Sequence, residues 1–472
     1  KDPAGTRGLI LNEPFLWERG GKGRTGYSLP RRDVDPAPLP EDLAGGGPDF
    51  PDLSEVELVR HYTRLSTWNY GVDSGMYPLG SCTMKYNPKF TEWASRLPGF
   101  AGLHPLLPQL RRGGLLAQGA LQVIHDLEQL LCRITGMDAF TMQPLAGAHG
   151  ELTGIMLIAA YHNEKGNQKS LVLVPDSAHG TNPASAAIAG YEVVTVPSKN
   201  GVMDPQAFKD RLSDQVAGVM MTNPNTVGLF NPYIGEISEA AHQADALMYY
   251  DGANLNAIMG YTNPADQGFD IVHLNLHKTF GTPHGGGGPG AGPVGVVERL
   301  RDYLPISRVE MRADGTLFLN YDHPKSIGYV APFYGNFGVC LKAFAYILAL
   351  GGEGLKEVSE DAVLAANYLR MKLGEKWKVA FDRPCMHEVV FSAEDKLAQH
   401  GVSAMDVAKA LIDAGFHPPT VYFPLVVKEA LMIEPTETES KENLDAFIEA
   451  MEHIADLAGQ DPEALHAAPV NA

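Results

Sequence analysis

Cysteine is scarce: four residues in 472 (Cys82, Cys132, Cys340 and Cys385), far apart and with no CxxC pair. That leaves no zinc cage and no disulfide framework, so a reducing cytoplasm and no metal are expected. Basic charge is also short, 37 Lys and Arg against 56 Asp and Glu, for a net charge of −19. A binder of the phosphate backbone needs a basic face, so no nucleic-acid partner is expected. No uninterrupted apolar run approaches membrane-spanning length, and the residues from Lys1 to Arg24 carry no apolar signal core. The expectation is therefore neither membrane nor export. GxxxxGK[ST] is absent, which excludes a P-loop NTPase at the motif level. Two stretches fit GxGxxG, starting at Gly21 and Gly285. The first has no strand before it and opens no helix, and the second leads into an apolar strand, Val294 to Val297, where a dinucleotide fold needs a helix.

What is present is an ordinary folded composition, 44% hydrophobic and 20% charged. A chain of this length allows about two or three domains. Residues 1 to 55 are rich in Pro, Gly and charge and read as an extended arm lying on a partner subunit. From Ala117 to Thr135 the apolar residues Ile124, Leu127, Leu131 and Ile134 recur at helical spacing, with a stop at Gly136. Apolar runs then alternate with helical patterns: Leu171–Val174, Val193–Val196, Gly218–Met221, Ala246–Tyr250, Ile271–Leu274 and Val294–Val297. Continuous apolar strands joined by crossover helices predict an α/β fold, a mostly parallel sheet covered on both faces. Past Pro332 the pattern changes to helices at Val339–Leu350 and Val363–Leu373, strands at Glu388–Ser392, Val421–Phe423 and Leu431–Ile433, and a helix through Leu444 to Leu457. This reads as a smaller α+β domain with a frayed tail from Gly459. The expected division is arm and connecting segment 1–115, large cofactor-binding domain 116–330, small C-terminal domain 331–472.

In parallel sheets ligands bind at the carboxyl ends of strands, and the polar residues of interest fall there. Asp176 to Asn182, Asn223 to Thr226 and Asp251-Gly252-Ala253-Asn254 each come directly after an apolar run, and His277-Lys278 come after the next. Alone, Lys278 reads as a surface lysine at a strand end. A lysine held there can also shed part of its hydration, and a neutral amine is what a Schiff base requires. With Asp251 on the neighbouring strand end, the pair suits pyridoxal phosphate, the lysine bonding the aldehyde and the carboxylate keeping the ring nitrogen protonated. Gly147-Ala148-His149-Gly150 opens a helix, so Gly147 and Ala148 offer N–H groups to a phosphate and His149 a ring to stack on the cofactor. The segment Tyr77 to Pro88 is polar and bracketed by prolines; a plain connector and a site lining remain equally open.

Pro78 to Pro88, His179-Gly180-Thr181-Asn182-Pro183-Ala184-Ser185, Asp251 to Ala257, His277-Lys278-Thr279 with its glycine tail, and Met432 to Glu437 together resemble glycine decarboxylase, the P-protein of the glycine cleavage system. The likeness runs collinearly over residues 58 to 455. With the lysine present, the chain resembles subunit 2 of the family's two-subunit form. The resemblance implies a fold-type-I pyridoxal-phosphate enzyme that decarboxylates glycine and passes the aminomethyl group to the lipoyl disulfide of an H-protein. It implies a homologous subunit 1 as partner in a heterotetramer. On it, Lys278, His149 and His179 are the candidates for catalysis, and His179 and Thr181 for orienting the glycine carboxylate. Lys278, His277, Gly147, Ala148, His149, Thr226, Asp251, Ala253 and Asn254 are candidates for holding the cofactor. One departure is Ala146-Gly147-Ala148-His149 where the single-chain form is expected to have Ser-Gly-Ala-Gln; a hydroxyl contact is lost and imidazole takes the stacking position. Other expectations left open are a hydroxymethyltransferase or simple decarboxylase on a small amino acid, and a non-catalytic structural subunit, against which Lys278 argues.

Overall fold

The computed structural model describes residues 13–46, 49–110, 112–178, 180–284 and 290–470. The chain divides into two compact units, Lys1–Gly75 and Met76–Ala472. In the first, residues 13–46 are mostly irregular, and a helix spans Glu55–Ser66. Ser54 and Glu57 form a capping box at its start, the Glu57 carboxylate accepting from the Ser54 N–H at 2.8 Å. Glu13 gathers Arg19 at 2.8 Å, His61 at 3.0 Å and Arg64 at 3.2 Å, tying the irregular segment to that helix. No strand occurs among the described residues of this unit, so the first GxGxxG match has no sheet behind it.

The second unit is built on a seven-stranded sheet: β1 Ala139–Thr141, β2 Leu171–Pro175, β3 Glu192–Val196, β4 Val216–Met221, β5 Leu247–Gly252, β6 Ile271–Leu274 and β7 Val294–Val296. Their order is β1-β7-β6-β5-β4-β2-β3. β2 to β6 pair parallel, and β7 lies antiparallel between β6 and β1. The cause is visible in the side chains of β4 and β5. Val219, Met221, Met248 and Tyr250 belong to one apolar cluster, while Met220, Leu247 and Tyr249 belong to another. Alternate residues of one strand thus feed two cores, one on each face, and the strand is apolar throughout. One core is closed by helices α1 Gln118–Thr135 and α4 Ile234–Gln243, the other by α2 Gly147–Glu164 and α3 Thr181–Ile188. α1 ends where expected, at Gly136 in the left-handed conformation (φ 75°).

Two helices form here as expected, written together as α5 Phe337–Leu373 and separated by the non-helical backbone of Gly351 (φ 63°). Its length and composition would suffice to cross a membrane. Here it sends Val339, Cys340, Ala343, Tyr346 and Ile347 into the first core. Beyond it lies an antiparallel sheet of β8 Lys378–Val379, β9 Val389–Ser392, β10 Thr420–Val421 and β11 Ala430–Ile433, ordered β8-β9-β11-β10. Helices α6 Ala404–Asp413 and α7 Lys441–Gln460 pack on this sheet. The tail is not frayed as expected: it forms α8 Pro462–Ala467, burying Leu465 and Ala468 against the same core.

Candidate active site

Asp251 is the penultimate residue of β5 and pairs in register with His273 of β6. The chain leaves β6 at Leu274 and turns at once into the short helical segment Leu276–Thr279, which carries Lys278. Two adjacent parallel strands therefore deliver a carboxylate and an amine to one cavity of about 440 Å³. Gly147 and Ala148 at the start of α2, Thr181 at the start of α3, Thr226 after β4, and Ala253, Asn254 and His277 also line it.

Asp251 is 4% exposed and held on every side. It accepts from the Asn182 amide at 3.0 Å and from the Ala253 N–H at 3.2 Å, and His273 Nε2 lies 3.4 Å away. Tyr249 and His273 Nδ1 share a 2.6 Å hydrogen bond behind it. Burial pushes the Asp251 carboxyl up, but His273, Lys278 and the Ala253 and Asn182 bonds outweigh it, and the group stays ionised below its ordinary range. Glu151, also lining the cavity, behaves in the opposite way. Burial and the Asp251 charge push it up to about 8, against the Thr181 hydroxyl that donates to it at 2.8 Å. One carboxyl is charged and its neighbour holds a proton, a division typical of sites that handle charge.

The α2 end is open to an anion. Ala146 gives it no side-chain cap, so the first turn relies on other partners for its N–H groups. A Cβ on Gly147 would sit 2.5 Å from Asn275 Oδ1, so glycine lets the helix end meet this wall. His149 does not line the cavity; its Nδ1 accepts from the Leu145 N–H at 3.2 Å. His179 lies outside the described residues. Thr226 is in the lining with its hydroxyl donated to the Ser177 carbonyl at 2.6 Å.

The opposite wall comes from the segment after Tyr77 and from the small sheet. Leu79 bridges to Ile433, and Gly80 N–H donates to the Met432 carbonyl at 3.2 Å. That docking puts Gly80, Ser81 and Cys82 into the cavity, and the Ser81 carbonyl accepts from Lys278 Nζ at 2.8 Å. The segment is a site lining, which settles the choice left open by its composition. Cys82 Sγ lies 3.5 Å from His284 Nε2. Asn254 reaches across, donating to Glu434 Oε1 at 2.8 Å. His387 and Glu388 complete this wall. Burial, with the Lys278 charge, takes His277 and His387 down to about 3, so both rings are neutral. Sequence reasoning missed Glu151, His387, Glu388 and the role of Glu434. Glu434 directly follows the apolar strand β11, the same signal that singled out Asp251, whereas Glu388 directly precedes β9.

These residues fit pyridoxal phosphate. A lysine and an ionised aspartate share one cavity with an uncapped helix end. Asn275 Oδ1, His277 Nδ1 and Glu151 Oε2, all in its lining, are buried without a hydrogen-bond partner. A polar ligand is what such atoms await.

Residues 115–316 match the glycine cleavage system P-protein family, and residues 358–463 the C-terminal domain of glycine dehydrogenase. The chain is 57% identical over 466 residues to a probable glycine dehydrogenase (decarboxylating) subunit 2 of Caldanaerobacter subterraneus, covering 97% of this chain and 94% of that protein. It is 54% identical to a protein so named in Pyrococcus abyssi, over 98% of this chain and 92% of the relative. Among solved structures, a glycine decarboxylase P-protein in inhibitor-bound form superposes with a TM-score of 0.73 at 22% identity, covering 88% of this chain and 93% of that one. The Escherichia coli cysteine desulfurase CsdA superposes with a TM-score of 0.62 at 15% identity, over 82% and 96%. At these identities the superpositions speak for the fold, that of fold-type-I pyridoxal-phosphate enzymes.

Proposed function

Because the chain belongs to the glycine cleavage system P-protein family, as subunit 2 of its two-subunit form, we propose that it carries the site at which glycine is decarboxylated and its aminomethyl group is passed to a lipoyl disulfide on an H-protein. Lys278 and Asp251 in one cavity are the observation that supports this reading most directly. Pyridoxal phosphate, when bound, supplies an electron sink for the pair left at the substrate α-carbon. Lys278 would hold it covalently, and Asp251 would keep a proton on the ring nitrogen. Gly147 and Ala148 would receive the phosphate, with Thr226, Ala253, Asn254 and His277 around the ring. His149 would be the residue to stack on the ring, and His179 and Thr181 would orient the glycine carboxylate.

The lining also supports loss of that carboxylate. Among its described residues Lys278 is the sole Lys or Arg, and the imidazoles of His277 and His387 are neutral. A carboxylate that meets no fixed cation other than Lys278 is held without being over-stabilised, so little binding energy is spent on the ground state. The proposal includes a heterotetramer with a homologous subunit 1, a cytoplasmic location, and a division of labour between a cofactor domain at 116–330 and a small domain at 331–472. It also has the arm within 1–115 lie on the partner.

The test is carbon dioxide exchange into glycine by the two-subunit complex, with and without lipoylated carrier. Exchange is expected only with the oxidised carrier, and Lys278→Ala is expected to abolish it. Borohydride should fix the cofactor to the Lys278 peptide, read by mass spectrometry. Exchange that persists in Lys278→Ala, or carrier-independent release of carbon dioxide, would overturn the proposal.

A further inference from the structure

Glu388 and Glu434 flank neighbouring antiparallel strands at the same end, beside the paired residues Val389 and Ile433. Two carboxyls are thereby brought side by side where water is excluded, 2% and 0% exposed. One oxygen of each and a nitrogen of His387 lie within 4.8 Å of one another. Their surroundings differ. Glu434 accepts from the Thr83 hydroxyl at 2.6 Å, the Thr83 N–H at 3.2 Å and the Asn254 amide at 2.8 Å, a set that favours the anion, so that burial raises this carboxyl only to about 7. Glu388 accepts from the Ser81 N–H at 2.9 Å, and His387 stands 3.7 Å off, beyond hydrogen-bond range. Like charges this close in a buried site cannot both persist, and the less solvated member keeps a proton. Burial and the Glu434 charge push Glu388 well above the carboxylate range.

Glu388 lines the cavity together with Lys278, and Glu434 stands behind it. Its position is fixed by close packing: a Cβ on Gly228 would fall 2.0 Å from the Glu388 carbonyl, and Met386 N–H donates to the Gly228 carbonyl at 2.7 Å. His387 Nδ1, buried in the same wall, has no hydrogen-bond partner and marks where a polar group of a ligand would be received.

We propose that Glu388 is the acid that protonates the sulfur released when the aminomethyl group is transferred, an inference that rests on the function proposed above. The electron pair left at the α-carbon by departing carbon dioxide forms a carbon–sulfur bond to one sulfur of the lipoyl disulfide. The sulfur–sulfur bond breaks and its pair leaves on the second sulfur, so the disulfide is reduced and the glycine carbon oxidised. That thiolate takes the Glu388 proton, which solvent restores on product release. Other groups of the lining are less suited. His277 and His387 are neutral and weakly basic, and Glu151 lies on the Asp251 side. The groups facing Glu388 are Glu434, His387, Lys278 and the Cys385 thiol.

The test compares Glu388→Gln with wild type in the full two-subunit complex carrying pyridoxal phosphate, with lipoylated carrier. Cofactor fixation at Lys278 by borohydride is expected to be unchanged. Carbon dioxide release should fall about 100-fold or more, and the alkaline limb of the pH–rate profile should vanish. Infrared spectra of the resting complex should lose protonated-carboxyl intensity, a readout independent of turnover. If Glu388→Gln does not fold, Glu388→Asp replaces it, keeping the acid one methylene further off and an intermediate rate. A wild-type complex that fixes no cofactor at Lys278 overturns the function and this inference together. A loaded Glu388→Gln enzyme with the wild-type rate, pH profile and infrared intensity overturns the inference alone.

Discussion

His277 and His387 are neutral because the cavity wall desolvates them and Lys278 adds positive charge nearby. A histidine in the unfolded chain takes up a proton below about 6.5, whereas these two resist it down to about 3 in the fold. Between those values these rings bind more protons in the unfolded state, so their contribution to stability falls as pH falls, by about 1.4 kcal/mol per pH unit for each ring. Nothing is gained above pH 6.5, where both states are neutral. Glu151 and Glu388, whose carboxyls are raised in the fold, contribute in the opposite sense over the same range. The readout is therefore a difference: from pH 7 to pH 5 the melting temperature of wild type is expected to fall relative to that of His387→Asn. Parallel slopes for wild type and variant would mean that His387 titrates normally in the fold. The same residues show what composition conceals. A histidine or glutamate in a sequence reads as solvated, and only its position beside an apolar strand hints otherwise.

At the scale of elements, the sheet was legible because its strands are buried on both faces. Val216–Met221 and Leu247–Gly252 are apolar nearly throughout, so their boundaries fell within a residue or two of the runs read from sequence. Lys278, Asp251, Thr226 and Gly147 were legible for a related reason: in a parallel sheet, the residues just past each strand face one common edge. Less legible was whatever depends on a second element arriving from far along the chain. Ser81 beside Lys278, Glu388 beside Ser81 and Asn254 beside Glu434 are joined across the two sheets, and no local pattern announces such pairs. The join between Asn275 and the start of α2 is another, and it has a consequence. In Gly147→Ala the new methyl would stand 2.5 Å from Asn275 Oδ1, the movable end of a side chain. The fold should tolerate this, with stability changed by less than about 1 kcal/mol. Pyridoxal phosphate affinity should fall about tenfold or more, since the phosphate is to sit where the amide is displaced. Titration of the cofactor by absorbance measures this, and equal affinity in the variant would move the phosphate away from α2.

For the whole molecule, the first unit raises a question that its own contacts do not answer. Its described residues include Phe15, Trp17, Tyr27, Leu29, Val34 and Leu39, all about 65–75% exposed. Large apolar side chains repeated along an irregular segment are costly in water, and in stable proteins they mark surfaces that another chain covers. Glu13 holds the start of this segment to the helix Glu55–Ser66 through Arg19, His61 and Arg64, which limits the entropy lost on docking. The relatives are named as subunit 2, which implies a counterpart. Deletion of residues 1–50 should therefore weaken association with that subunit at least tenfold, read by light scattering over a dilution series. Cofactor fixation at Lys278 should survive, because the lysine, Asp251 and the α2 end all lie in the second unit. An unchanged assembly mass at every dilution would assign these apolar residues another role. Loss of fixation together with loss of mass would mean instead that the site depends on assembly.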